Sequence, residues 1–280
     1  MPELPDLEVI REFLGPRLAG VAIALAEVRR PLVARNLHGG ELVSHLVGRR
    51  FVSVGRRGKF LLLELEGGLT LVINPMLAGR IRYGEPLQRP RARDALVLGL
   101  TDGRELRYYD AADTGKVYLT SDLNQVPAFP GQGPEAIDPA LTFDAFRERL
   151  SRHRGEIKGI LTNQSFVAGI GNAYADEILW SAHIYPFRRR ADLDDGEVAR
   201  LLAVMQSVLN EAIAILRNRV GGAIDVEVRD FLSVHGKAGQ PCPRCGSLIS
   251  EVKRQRAATH FCRACQPGLM IDRRNRPPIR

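Results

Sequence analysis

Cys242-Pro-Arg-Cys245, sixteen intervening residues and then Cys262-Arg-Ala-Cys265 contain every cysteine of this 280-residue chain. Two Cys-x2-Cys pairs so separated have the spacing of a tetrathiolate zinc site, with a knuckle at each end of a short hairpin. Two disulfides are the alternative, but the rest of the chain is free of thiols and offers a disulfide network no other partners. One structural Zn2+ is therefore expected on Cys242, Cys245, Cys262 and Cys265. Charge is concentrated around them. Ten Lys or Arg against two acids lie between Gly236 and Arg280, a balance of +8 that equals the net charge of the whole chain. The first 235 residues are accordingly neutral overall. A metal hairpin carrying concentrated positive charge points to a polyanionic partner, nucleic acid first.

The length permits two domains beside the metal-stapled module, and an apolar content of 45% is enough to give each a core. The start, Met1-Pro-Glu-Leu-Pro-Asp6, has neither the basic region nor the apolar run of a secretory signal. No stretch approaches the ~20 apolar residues of a membrane helix. A soluble protein of a reducing compartment is expected, which suits zinc thiolates.

Leu7, Val9, Ile10, Phe13 and Leu14 recur at helical spacing and predict one amphipathic helix ending near Gly15-Pro16. From Val21 to about Leu119 the pattern changes to short β-branched and aliphatic runs at 51–54, 60–65, 69–73, 95–100, 105–109 and 116–119. The turn pairs Gly58-Lys59, Gly67-Gly68 and Asp102-Gly103 separate several of them, which predicts antiparallel strands in a β-sandwich. Residues 124–141 are dense in Pro and Gly without periodicity, as expected of an inter-domain connection. Helical segments follow at 143–152, 157–163 and 173–182 and within 194–219, the last closed by Gly221-Gly222. The expected fold class is multidomain α+β: a helix with a β-sandwich over 1–123, a linker over 124–141, a helical domain over 142–235, and the zinc finger with its basic tail over 236–280.

Between two of the helical segments lies Gln164-Ser-Phe-Val-Ala-Gly-Ile-Gly-Asn172, with Asn172 at the start of the second. Unpaired backbone N–H groups and the positive end of the helix dipole at such a start suit a phosphate, although a plain N-cap in a tight corner has the same signature.

Four stretches in this order carry a resemblance: Met1-Pro-Glu-Leu-Pro5, the turn Arg57-Gly-Lys-Phe60, Val167-Ala-Gly-Ile-Gly-Asn-Ala-Tyr-Ala-Asp-Glu177, and the four-cysteine hairpin. Together they resemble the formamidopyrimidine-DNA glycosylase and endonuclease VIII family from the first residue to Gln266. The resemblance implies a helix-two-turn-helix domain with a zinc-finger β-hairpin, and a monomeric bacterial protein of the cytoplasm and nucleoid. The implied partner is double-stranded DNA carrying a damaged base or an abasic site. Base excision is implied, followed by abasic-site lyase chemistry. Loss of Met1 would expose the secondary amine of Pro2, whose uncharged form attacks C1′, displaces the base and forms an iminium. That iminium acidifies the C2′ hydrogen, so β/δ-elimination cuts the strand. Glu3 falls where the family places its general acid, a role that needs a protonated carboxyl. Lys59 corresponds to the hairpin lysine beside the target phosphate, and Asn172 to the phosphate-binding asparagine. Met76 matches the methionine that fills the gap left by a flipped nucleotide. Lys158 is a candidate backbone contact.

The chain departs from the family pattern in four places. Asp6 stands for a glutamate, which keeps the charge and shortens its reach. Asp110-Ala-Ala-Asp-Thr-Gly115 lacks both the arginine that pairs with the orphaned base and the phenylalanine wedge, so selectivity for the opposite base should be poor. The segment between Gly222 and Gly236 is shorter than in members that recognise 8-oxoguanine, which favours oxidised pyrimidines, ring-opened purines, other altered bases or abasic sites. Ala257 occupies the place of a phosphate-binding arginine. Arg254, Arg256 and the tail are the candidates to supply that affinity, with steep salt dependence. Two other classes remain: a non-catalytic DNA-damage or DNA-structure binding protein, and a zinc-ribbon accessory of transcription. The first makes no use of Pro2, Glu3 and Lys59, and the second leaves the N-terminal motif unexplained. His235 and His260 read as structural or phosphate-facing, since four cysteines already satisfy a tetrahedral ion.

Overall fold

The computed structural model describes residues 1–88, 92–254 and 257–268. Helix α1 (Leu4–Leu18) starts from Glu3, whose N–H is accepted by the Asp6 carboxylate at 2.8 Å, with a proline in the first turn where no amide donor is needed. It runs through Pro16 rather than stopping there. In the last turn a proline removes a single backbone bond, while Leu14 and Leu18 are fully buried.

Two sheets follow. The first orders β1 (Ile23–Val28), β7 (Asp94–Leu100), β8 (Glu105–Asp110) and β6 (Gly79–Gly84), and the second orders β2 (Ala34–Asn36), β9 (Lys116–Thr120), β5 (Leu69–Asn74), β4 (Phe60–Leu65) and β3 (Phe51–Arg57). All pairings are antiparallel except β2 with β9, which runs parallel, and a short helix α2 (Leu42–Leu46) lies between β2 and β3. Ile23, Leu61, Leu71, Leu98 and Val117 from both sheets meet Leu7, Leu14 and Leu18 of α1 in one core. Strands β1 and β6 are not among the runs read from the sequence, although β6 alternates buried and half-buried positions. Ile23-Ala-Leu-Ala-Glu-Val28 is alanine-rich, and β6 has glycine at each end, so their burial comes from neighbouring strands rather than from propensity.

The helical half contains α3 (Phe143–Ser151), α4 (Ile157–Leu161), α5 (Asn172–Ser181) and α6 (Asp195–Val220). Helix α6 opens with a reciprocal cap, Glu197 N–H to Asp194 at 2.8 Å and Asp194 N–H to Glu197 at 3.1 Å, and it ends at Gly221 with φ +54°. By length and a mean hydropathy of 1.5 it could cross a membrane. It packs against α1, α3 and α5 instead, through Leu201, Met205, Leu209 and Leu216. The hairpin of β10 (Ile249–Arg254) and β11 (Ala257–Cys262) closes the described chain, with α5 packed on β11.

The stretch 124–141 joins the two halves without hanging free. Ala168 N–H donates to Pro134 O and Gly133 N–H to Gln164 O, both at 2.8 Å, which ties it to the helical half. Glu135 accepts from Arg57 at 2.7 Å and from Gly58 N–H at 2.6 Å, which ties it to the β3–β4 turn. Gly58 has φ +55°, and a Cβ there would lie 2.1 Å from Gln132 Oε1, so only glycine brings this turn, and Lys59 with it, against the linker.

Candidate active site

Glu3 is 2% exposed and lies across the start of α5. Its carboxylate accepts Gly171 N–H at 2.6 Å, Ala173 N–H at 2.9 Å and Tyr174 N–H at 3.3 Å. These are the donors a helix start leaves unpaired. Leu4 N–H bonds Gly169 O at 3.0 Å, which draws the N-terminal segment over the turn and sets the chain's own carboxylate on these backbone donors. Lys59 converges on the same point. A Cβ on Gly171 would fall 2.4 Å from Glu3 Cδ and 2.8 Å from Lys59 Nζ. Burial pushes the Lys59 ammonium below its ordinary range, against the charge of Glu3, so its proton is more readily released.

Pro2 is buried in a pocket whose wall includes Pro75, Gly79, Arg80, Ile224 and Glu227. Met76 stands at the rim, 42% exposed, in the turn between β5 and β6 with φ +49°. A left-handed methionine stores strain that only a fixed turn sustains. The loop after β8, where the arginine and phenylalanine are missing, is closed by Asp110, which accepts Ala112 N–H at 2.9 Å and Gly115 N–H at 2.5 Å. Asp113 at its tip binds Arg30 at 2.6 Å and Arg93 at 3.2 Å.

The remaining expected DNA contacts are disposed differently. Lys158 turns inward, 8% exposed, with Nζ 2.6 Å from Asp176 and 2.8 Å from Thr259 Oγ1. A buried ammonium keeps its charge beside such partners, and in this structure Lys158 supports the hairpin from below. Asn172 donates its amide to Ala258 O at 2.8 Å and stays partly exposed. Arg254 binds Glu156 at 2.8 Å and stacks over Phe187. Arg256 and the tail beyond 268 lie outside the described residues.

Asp176 and Glu177, quoted in the motif but given no role by sequence, organise the junction with the zinc finger. Glu177 accepts the N–H groups of Ser233, Val234 and His235 at 2.8, 2.9 and 2.8 Å. Asp176, wholly buried, accepts His235 Nδ1 at 2.8 Å and His260 N–H at 3.1 Å. Asp176, His235 and His260 lie close enough for a metal ion, but the Lys158 ammonium already neutralises the carboxylate. The cluster is a hydrogen-bonded hub.

At the cysteines, Sγ of Cys242 and Cys265 are 3.9 Å apart, those of Cys245 and Cys262 are 3.4 Å apart, and all four fall within 4.8 Å of one another. These separations exceed the ~2.05 Å of a disulfide bond and suit four thiolates around one ion with Zn–S bonds of about 2.3 Å. The four cysteines would hold one structural Zn2+. Chelation is expected to abolish hydrogen-exchange protection in 240–266 while leaving that of β4 and β5 intact, because the hairpin's own core is little more than Val234, Ile249 and the cysteines. Protection unchanged by chelator would show that the hairpin stands without metal.

Comparison with known proteins agrees with this layout. Profiles of the formamidopyrimidine-DNA glycosylase N-terminal domain, of its H2TH domain and of the zinc finger found in FPG and IleRS match residues 1–117, 132–221 and 239–268. The formamidopyrimidine-DNA glycosylase of Heliobacterium modesticaldum is 39% identical over 277 residues, covering 95% of this chain and 100% of that protein. That of Moorella thermoacetica is 37% identical over 260 residues, covering 90% and 95%. Among solved structures, Lactococcus lactis Fpg with an abasic site containing DNA superposes with a TM-score of 0.85 at 32% identity, covering 95% of this chain and 100% of that one. MutM in complex with carbocyclic 8-oxo-G containing DNA gives 0.84 and 32%, with the same coverage.

Proposed function

The chain belongs to the formamidopyrimidine-DNA glycosylase family, and from that premise we propose that it excises a damaged base from duplex DNA and then cleaves the strand as an abasic-site lyase. In this reading the Pro2 amine, freed of Met1, attacks C1′ and forms the iminium, and elimination follows. The observation that carries it is the convergence of Glu3 and Lys59 over Gly171, beside the pocket that holds Pro2. Lys59, with its depressed ammonium, is suited to move a proton at the sugar or to meet the flanking phosphate. Glu3, held on the start of α5, is read as the general acid beside the sugar that the resemblance implies. A purely binding role would have no use for this buried carboxylate and lysine. The place of action is bacterial chromosomal DNA.

For the lesion, we propose a ring-opened purine, an oxidised pyrimidine or a bare abasic site in preference to 8-oxoguanine. The supporting observation is the short segment after α6. Asp225 meets the Tyr109 hydroxyl at 3.2 Å, Glu227 meets Arg80, and Arg229 meets Asp6 at 2.6 Å, so little chain is left to close over an extruded base. The loop after β8 offers no arginine to the orphaned base, which supports weak opposite-base selectivity.

Borohydride trapping on duplexes carrying an abasic site, a formamidopyrimidine, an oxidised pyrimidine, 8-oxoguanine or no lesion tests both parts. A covalent adduct with the abasic duplex and at least one of the next two, and a weak one with 8-oxoguanine, is the expected pattern. Tight binding without any adduct would overturn the lyase reading, and strong trapping on 8-oxoguanine would overturn the lesion preference.

A further inference from the structure

The short segment after α6 brings two opposite charges to the N-terminus. Glu227 sets both carboxylate oxygens on the amino group of Met1, at 3.1 and 3.2 Å. Arg80 and Arg229 hold it from behind, the latter at 3.1 Å. Arg229 is in turn locked by Asp6 through two bonds of 2.8 and 2.6 Å, and its guanidinium lies 5.3 Å from the centre of the Tyr174 ring. Its Nη2 is also 3.4 Å from the carbonyl oxygen of Met1. That carbonyl carbon is bonded to the Pro2 nitrogen. Removal of Met1 therefore uncovers the Pro2 amine beside the Arg229–Glu227 ion pair, the guanidinium from the Met1 carbonyl contact and the carboxylate from the Met1 amine contact.

We propose that Arg229 and Glu227 are positioning residues that set the protonation of the Pro2 amine, Arg229 favouring the free base that attacks C1′ and Glu227 favouring the ammonium. The inference rests on the Schiff-base reading above. A guanidinium only donates hydrogen bonds, so it can serve the lone pair of a neutral secondary amine and repels the ammonium. A carboxylate does the reverse. The proton balance closes through solvent. The Pro2 ammonium gives one proton to hydroxide of the solvent, an N–H bond breaks and an O–H bond of water forms, and the freed lone pair accepts from Arg229.

The other groups facing this point do not blur the two signs. Asp6 binds Arg229 and Arg80 binds Glu227, so each keeps a partner of its own besides the 3.1 Å contact between Arg229 and Glu227. The Tyr174 hydroxyl is pushed up by burial and stays neutral. Glu3 and Lys59 face each other over Gly171. Glu227 itself is ionised at neutral pH: burial raises it, but Arg229, the terminal amine and Arg80 together hold it below the ordinary carboxylate range.

The test is a carbon-13 NMR titration of proline-labelled mature protein, with loss of Met1 verified by mass, from about pH 5 to about pH 10. Of the seventeen prolines only the N-terminal one titrates. Glu227→Gln is expected to lower its midpoint and Arg229→Gln to raise it, each by about one pH unit, a tenfold change in free-base fraction. Arg229→Lys, which keeps the charge, should stay near wild type. The acid limb of borohydride trapping on an abasic duplex should shift in the same directions. Midpoints unchanged in both Glu227→Gln and Arg229→Gln, or shifted in the same direction, overturn the proposal. Since Glu227→Gln is nearly isosteric, misfolding of Arg229→Gln alone leaves the test decisive. Opposite NMR shifts in a protein that never traps would uphold the electrostatic pairing and sink the Schiff-base reading.

Discussion

Gly171→Ala is expected to slow single-turnover trapping on an abasic duplex by about 10²- to 10³-fold while the protein remains folded. Gly171 precedes α5 with φ −121°, so its backbone is open to any residue and conformational freedom is not the point. Space is. The added carbon would sit 2.4 Å from Glu3 Cδ and 2.8 Å from Lys59 Nζ, the two groups that the proposed reaction uses together. Relief must come by moving one or both, and a displacement of about 1 Å at the chemistry is costly. The overpacking itself should cost about 1–3 kcal/mol of stability. Gly159→Ala, in α4, meets nothing within 4 Å and serves as the matched control. Wild-type trapping by Gly171→Ala would show that Glu3 and Lys59 do not act from the positions described.

Asp176→Ala is expected to lower the unfolding free energy by about 3–5 kcal/mol, the usual result of removing one partner from a buried ion pair. It would strand the Lys158 ammonium, already depressed by burial, and free His235 and the His260 N–H, which together pin the zinc hairpin to α5. Urea unfolding measures it, and a loss under about 1 kcal/mol would show the hub to be dispensable. The same residue sets an acid limit. Burial raises the Asp176 carboxyl, but the bonds from His235 and His260 and the Lys158 charge outweigh it and hold the group below its ordinary value. A depressed acid contributes fully above its unfolded value of about 3.9 and is lost as pH falls through the lower folded one. Wild type should therefore lose stability below about pH 4 more steeply than Asp176→Asn does. Thiolate protonation and zinc release occur in both proteins, so the difference between them isolates Asp176.

Much of this was legible without coordinates. The tetrathiolate site follows from spacing alone, because the ligands of each knuckle are three residues apart. Strands β4 and β5 and helix α6 were readable because aliphatic runs, paired glycines and an acidic cap act within a few residues. Strand β1 and the run of α1 through Pro16 were not, since propensity argued against each and burial against distant neighbours prevailed. Resemblance brought Pro2, Glu3 and Lys59 into one proposal before any geometry was known. It offered no role for Asp176, Glu227 or Arg229, and the pairing of Lys158 with Asp176 was not legible in either residue alone.

The sequence by itself determined the metal site, the change from a strand-rich to a helical half, the location of positive charge and the family. Each depends on residue type at short range, where the 2.0 and 3.6 periods and ligand spacings operate. Only the tertiary structure decided which charges meet. Glu3 finds its donors 168 or more residues away, and the N-terminal amine finds Glu227 at a separation of 226. Such pairs form because the β-rich and helical halves press together and exclude water between them, where an unpaired charge costs several kcal/mol. No local pattern carries that constraint, so the chemistry of the N-terminus was named by its sequence and set by its packing.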